Sequence, residues 1–417
     1  MTAGLLVAGL ATGANAQTVV KFTGSTAYRA NVHTAILHAL GSTNGTSLTS
    51  GSFGYVGTSF GGASQALFVG TIAGNPVIIK TSWSGSEGGL KTVSNSVNVA
   101  FLSDSNSANL TPAGAGSLGG LGDVSVPDVA MSDSWQSSSN YNGTYQGVNY
   151  AALTESGTSP VGVVPFKWIA TNNATFTGIT SQQARGLYSN GYLAQALFTG
   201  SNADESKLVV AIGRDPDSGT RLITFAESGI GATATIKEYQ PNVLVGGTGA
   251  SVIVSATGQV ITSLTPTPSG LVNGITVNTF NNGFSSGGTL AKALGCTVSG
   301  SCTVAGKSGV TGVTIVGYAG TNDADGTAIP AGGVELAYNG VKLGVFGDYN
   351  TATALTEGLY TMWGYEHVYY RSAAVGTTVQ TVADAVAAKI HDVDAVVKLS
   401  SMKVKRTGDG LTVKQNY

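Results

Sequence analysis

The sequence predicts an α/β fold, and three observations carry that prediction. Short apolar strands run into Gly/Ser loops that open helices at three separated places, around residues 24–26, 85–89 and 213–219. Hydrophobic residues make up 42% of the chain, with 16 Tyr and 12 Phe, which suits a packed core and argues against disorder. The 417 residues allow two or three core-bearing units, at roughly 150 residues per domain.

Composition excludes several classes. Charged residues are only 10% of the chain, against about 25% in ordinary soluble domains. The 60 glycines follow no three-residue period, so collagen is excluded. A net charge of −2 offers no basic field to nucleic acid or to an anionic membrane. A low-charge surface of Gly, Ser, Thr and Asn fits a periplasmic or secreted protein. Leu5 to Leu10 is apolar and Ala14-Asn15-Ala16 precedes Gln17, the small-x-small form of a signal-peptidase site. The expected signal peptide, residues 1–16, lacks a basic leading region, so it is atypical or starts upstream. No stretch holds ~18 uncharged apolar residues, so no membrane span is predicted. Cys296 and Cys302, in G-C-T-V-S-G-S-C, predict one small disulfide, and no His or acidic partners nearby suggest a metal.

Taken in order, Thr18 to Phe22 reads as a first strand, Gly24-Ser25-Thr26 as a turn, and Ala27 to Leu40 as a helix with Val32, Ile36, Leu37 and Leu40 at helical spacing. His33 and His38 are five apart and do not share a face, which favours packing or surface roles over metal binding. Pro76 to Lys80 is a second strand, leading through Trp83 to Gly85-Ser86-Glu87-Gly88-Gly89 and a helix carrying Leu90, Val93 and Val97. Asp128 to Met131 is a buried strand that presents Ser132 and Asp133 at its end, while Asp104 is a weaker acidic candidate. Val209 to Ile212 is a short buried strand, broken by the run from Gly213 to Gly219. The helix that begins near Thr220, capped by Ser218 or Asp217, leaves backbone N–H groups unpaired, a ready seat for an anion. Arg214 and Arg221 bring guanidinium forks there, which suit a tetrahedral oxyanion better than a lysine point charge. An ordinary capped turn is the alternative for this stretch taken alone. Asp133 can accept a hydrogen bond from the proton of monohydrogen phosphate, whereas fully ionised sulfate would meet it lone pair to lone pair.

The order of these motifs resembles the phosphate-binding subunit of bacterial ABC transporters, a periplasmic substrate-binding protein of the two-lobed kind. The matching pieces are G-S-T at 24–26, G-S-E-G-G-L-K at 85–91, D-V-A-M-S-D at 128–133, V-V-P-F at 163–166 and R-D-P-D-S-G-T at 214–220. The resemblance implies two α/β lobes joined by two crossing strands, and ligand contacts at Thr26, Ser86, Asp133, Arg214, Ser218, Gly219 and Thr220. Ser25, Ser132, Asp217 and Arg221 are weaker candidates. It also implies a helix after Phe176 that ends at Gly191, a second crossing strand at Val313 to Tyr318, and a late strand at Glu357 to Tyr365. The expected organisation is lobe 1 over 17–162, lobe 2 over 163–319 with a β-like insertion at about 231–310, and a C-terminal part, 320–417, returning onto the lobes.

The chain departs from the family pattern at Glu87, inside the Gly-Ser-x-Gly-Gly turn, and at Pro216 and Asp217 in the oxyanion loop. Asn281 to Leu294 reads as another glycine turn entering a helix, with Ser285 and Ser286 structural. Thr378 to Lys389 reads as a helix, and Met402 to Lys414 as a hairpin turning at residues 408–410 with its basic residues a solvated edge. The expected function is capture of phosphate or a related oxyanion between lobes and delivery to an ABC permease, by a monomer with no cofactor and no catalysis. Two alternatives belong to other classes. A secreted phosphoester hydrolase would use Ser218 or Ser86 with His367. A secreted Gly/Ser-rich adhesive β-protein would show little helix.

Overall fold

A computed structural model describes residues 17–110, 122–245, 248–250, 253, 255–272 and 274–416. The expected signal segment therefore lies outside the described residues, as does part of the Gly-rich span that follows residue 104.

The first lobe is built from strands Thr18–Gly24 (β1), Ser52–Val56 (β2), Gln65–Ile72 (β3), Asn75–Trp83 (β4) and Val129–Ser132 (β5), with helices Arg29–Ala39 (α1) and Ser86–Ser94 (α2). Strand β1 pairs in parallel with both β4 and β5, which places Gly24 level with Trp83 and Met131. Parallel neighbours all end on the same edge. The three loops that follow these strands, two of them opening α1 and α2, therefore share one rim.

The second lobe follows with Gly162–Ala170 (β6), Ser181–Asn190 (α3), Tyr192–Ala194 (β7), Lys207–Ala211 (β8) and Gly219–Glu227 (α4). Next come Tyr239–Val245 (β9), Thr248–Ala250 (β10), Val260–Pro266 (β11), Gly287–Gly295 (α5) and Thr297–Val304 (β12). Strands Gly312–Gly320 (β13), Val334–Tyr338 (β14) and Trp363–Tyr370 (β15) and the helix Thr378–Lys389 (α6) complete the main elements. The principal sheet runs β7-β8-β13-β6-β15-β5-β1-β4-β3-β2. Strand β6 hands it from one lobe to the other: Gly162 to Pro165 pair with β15, and Phe166 to Ala170 with β13. Pro165, which has no N–H to give a ladder, falls at this change of partner. All nine residues of β6 are buried, and its one charge, Lys167, is matched by Asp325 at 2.6 Å and Glu335 at 3.4 Å.

A continuous apolar core containing Val20, Phe22, Ile36, Trp168, Tyr318 and Trp363 runs through both lobes. The inserted region forms a separate four-stranded sheet, β10-β9-β11-β12, over Val210, Ile212, Leu290 and Ile315. The short strands Gly270–Val272 and Ile275–Val277 pair as a separate hairpin. Helix α3 starts on a capping box between Thr180 and Gln183 and is closed by a left-handed Gly191.

Four expectations need correction. The late strand begins at Trp363 rather than Glu357, because Thr353 to Thr356 form a helical turn that is followed by a positive-φ Gly358. Arg406 is not part of a solvated edge: it is buried on the Trp363 ring at 4.1 Å and paired with Glu227 at 3.0 Å. The helix carrying Leu90 and Val93 ends at Ser94 with Asn95 as its cap, so Val97 lies beyond it and is exposed. Cys296 and Cys302 are free buried thiols, not a disulfide. The Cys296 sulfur is turned back onto the Lys292 carbonyl at 3.2 Å, in the last turn of α5, and burial pushes both thiols up to about 11.

Candidate functional site

The site is assembled from the loops at strand ends. On the first-lobe rim these are Ser25-Thr26 after β1, Gly85-Ser86 after β4 and Asp133 after β5. The second lobe brings the loop between β8 and α4 against them. Its contacts across the seam are direct. Arg214 Nη2 donates to Thr26 Oγ1 at 3.3 Å, Thr220 Oγ1 donates to Asp133 Oδ2 at 3.3 Å, and Gly88 N donates to the Asp217 carbonyl at 3.2 Å. Within the first lobe, Ser86 Oγ donates to Asp133 Oδ1 and accepts from the Asp133 amide at 3.2 Å. The seam is buried: Ser86, Asp133, Arg214, Ser218 and Thr220 are each at most 3% exposed.

Two glycines make the approach of the lobes possible. A Cβ on Gly219 would stand 1.7 Å from Asp133 Oδ1 and 2.7 Å from Ser86 Oγ. One on Gly85, whose φ is +97°, would meet the Asp217 carbonyl at 2.3 Å.

The donors are of three kinds. Ser218 caps α4 by accepting from Arg221 N at 3.2 Å, so the amides of Gly219 and Thr220 have no partner within the helix ladder. The first amides of α2, at Ser86 and Glu87, stand likewise. Arg214 is fixed by its Nε on the Phe284 carbonyl at 3.0 Å, its Nη2 on the Ser285 carbonyl at 3.1 Å, and its amide on Tyr318 Oη at 3.1 Å. Its Nη1 has no hydrogen-bond acceptor among the described residues. Asp133 sits among these donors as the acceptor. Burial raises its carboxyl above the usual range, opposed by Ser86, the Arg214 charge and Thr220. Each of its oxygens has a second lone pair to offer.

The remaining candidates are placed as follows. Ser25 Oγ accepts from the Tyr28 amide at 3.3 Å and so caps the turn into α1. Ser132 Oγ turns to the Ser134 carbonyl at 2.8 Å. Arg221 braces the loop from behind, donating to the Arg214 carbonyl at 2.7 Å and to Asn281 Oδ1 at 2.6 Å. Asp217 pairs with Lys91 at 2.6 Å. The side chains of these four are therefore committed to internal bonds. Asp104 pairs with Lys80 at 3.3 Å, on the strand and not at the seam. Glu87 does not confront an anion: its carboxyl accepts from Ser134 at 2.8 Å and from Ser139, and burial pushes it up to about 8, which favours the neutral acid. His367 lies at 2.6 Å from Glu155 and is stacked on Tyr369. No hydrogen bond joins it to Ser86 or Ser218 among the described residues, so a hydrolytic pair is not formed.

Three groups that the sequence did not single out belong to this region. Lys91 closes the G-S-E-G-G-L-K motif at 85–91 but draws its meaning from Asp217, 126 positions away. Asp323 is half-buried beside the start of α5 and the Arg214 guanidinium, where loss of solvent raises its carboxyl against the pull of Arg214 and Arg29. Glu366 is wholly buried, and neither of its carboxyl oxygens has a hydrogen-bond partner among the described residues. Burial, with the Asp133 charge adding to it, holds Glu366 well above the carboxylate range. A single Glu inside the apolar run W-G-Y-E-H-V-Y-Y was the available signal for it.

No family model matches the chain, and no curated protein matches it. Solved structures do. The chain is similar to a phosphate ABC transporter substrate-binding protein with bound phosphate from Clostridium perfringens, at 12% identity and a TM-score of 0.43, covering 92% of this chain and 100% of that one. It is similar to an ABC-type phosphate transport receptor from Vibrio cholerae, at 10% identity and a TM-score of 0.39, covering 88% and 93%. A phosphate-binding protein from Stenotrophomonas maltophilia shows 17% identity and a TM-score of 0.33, covering 86% and 81%.

Proposed function

We propose that the protein captures phosphate, or an oxyanion that carries a proton as phosphate does, in the seam between its lobes. One observation carries this reading: Ser86 and Thr220, from different lobes, both bond the buried Asp133 carboxyl, and Arg214 bonds Thr26 across the same seam. Thr26, Arg214, Ser218 and the helix-start amides of Ser86, Gly219 and Thr220 supply the donors, and Asp133 accepts a hydrogen bond from the ligand's proton. Unpaired amides at helix starts favour negative charge, and burial of the seam strengthens each bond to it.

The chemistry is capture without bond breaking. The lobes, 17–162 and 163–319 with 320–417 packed on them, part to admit the anion and shut over it. Such a protein works outside the cytoplasmic membrane and passes its anion to an ABC permease that reads the shut form. Calorimetry tests the site. Wild-type protein is expected to bind phosphate, and Arg214→Ala is expected to weaken binding by at least about 1.5 kcal/mol, the scale of a hydrogen bond to a charged group. Unchanged phosphate affinity in Arg214→Ala removes Arg214 from the site.

A further inference from the structure

We propose that the hairpin 270–277 is a clasp across the two lobes, with Lys91 as its positioning residue, and that it sets how long the anion is held. This rests on the reading of the seam as an oxyanion site. The hairpin leaves the second-lobe insertion between β11 and α5, yet its Val272 carbonyl and Ile275 side chain meet the first lobe. Ile275, 7% exposed, is buried with Leu90, Val93, Ala130, Tyr141 and Tyr150.

Lys91 ties the same three parts together. It extends from α2, the helix whose first residue is Ser86. Its Nζ donates to Asp217 Oδ1 at 2.6 Å and to the Val272 carbonyl at 3.3 Å, and it lies 5.3 Å from the centre of the Tyr141 ring. The Lys91 and Asp217 side chains are 3% and 1% exposed. Asp217 is the neighbour of Ser218, and its carbonyl receives the Gly88 amide. The position of the oxyanion loop is therefore coupled to the position of the hairpin.

These contacts join one lobe to the other, so they stabilise the shut form alone and bias the equilibrium towards it. A cavity of about 80 Å³, lined by Glu87, Tyr141, Ser218, Arg221, Ile275 and Asn281 among others, separates the hairpin from the seat. That is room for a few waters. The hairpin acts on the anion through closure and does not touch it, so it governs retention and leaves selectivity to Asp133 and Arg214.

The test measures release of radiolabelled inorganic phosphate from the full chain by rapid dilution, with calorimetry for affinity. Ile275→Ser is expected to release phosphate roughly tenfold faster, the middle of the usual range for coupling between sites. Its preference for phosphate over sulfate is expected to stay unchanged. Lys91→Met is expected to do the same, and Lys91→Arg to restore slow release, which general damage to packing would not allow. Replacing 270–277 by Gly-Gly serves if Ile275→Ser does not fold by circular dichroism. Release at the wild-type rate in both hairpin variants overturns the clasp while leaving the oxyanion site standing. If the wild-type protein binds no phosphate, the oxyanion reading fails separately. The clasp is then read from solution scattering of unliganded protein: a larger radius of gyration in Ile275→Ser supports it, and an unchanged radius overturns it.

Discussion

At Asp133 a buried carboxyl is held by two hydroxyls and faces a guanidinium, and the choice between oxyanions turns on its proton. Ionised, it accepts a hydrogen from monohydrogen phosphate and opposes sulfate. Asp133→Asn is expected to bring the phosphate and sulfate affinities together, chiefly by loss of the phosphate bond, as measured by calorimetry with each anion. Because burial raises the Asp133 carboxyl, lowering the pH makes it a neutral donor, so the preference for phosphate is expected to narrow as pH falls. A second buried group reports on stability. His33 accepts from the Trp83 indole at 2.9 Å through Nε2, faces the Phe60 carbonyl at 3.0 Å through Nδ1, and burial pushes it down to about 3. The unfolded chain then binds a proton below pH 6.5 that the folded chain refuses. The His33 contribution is present above pH 6.5 and is lost as pH falls towards 3, by up to about 1.4 kcal/mol per pH unit. Buried acids such as Glu238, pushed up to about 8, slope the other way, so the contribution is isolated by comparison. The wild type is expected to lose more denaturation midpoint between pH 6.5 and 5 than His33→Gln, and equal losses would remove His33 as the cause. Asp133 and Arg214 were legible because each is a polar side chain placed next to a buried strand. Lys91 and Glu366 were not, because a pairing over 126 positions and an orphaned carboxyl leave no local pattern.

The element that does the work is the strand, short loop and helix start, used on both lobes. Gly219 is the tightest point, since its hydrogen faces Asp133 and Ser86 where a methyl has no room. Gly219→Ala is expected to hold the lobes apart and abolish measurable phosphate binding in calorimetry while leaving helix content by circular dichroism intact. Retained affinity would show that the lobes do not meet there. A control lies far from the seam. Thr180 caps α3, and Thr180→Ala is expected to cost about 1 kcal/mol of stability in denaturant unfolding without changing phosphate affinity. These junctions were readable because apolar strand, Gly/Ser loop and apolar helix spacing are all local. The thiols of Cys296 and Cys302 and the burial of Arg406 were misjudged for the opposite reason. What surrounds them is set by α5 and by Trp363, which sequence proximity does not reveal.

At the scale of the molecule, a group of buried charges gathers at one place. Arg214, Arg221, Asp133, Asp217 and Lys91 are all buried at or behind the seam. The two-lobed plan was legible from motif order. How the insertion reaches back to the first lobe was not, because Ile275 reads locally as one more hairpin valine or isoleucine. The plan requires that an anion shut the lobes, so scattering is expected to show a smaller radius of gyration with phosphate than without it. The most direct measurement is a crystal structure grown with phosphate. The account predicts one tetrahedral anion in the seam, within hydrogen-bond distance of Thr26, Ser86, Asp133, Arg214 and the Gly219 and Thr220 amides. A phosphate bound away from these residues, or a seam that stays as tightly closed and empty in saturating phosphate, would contradict it.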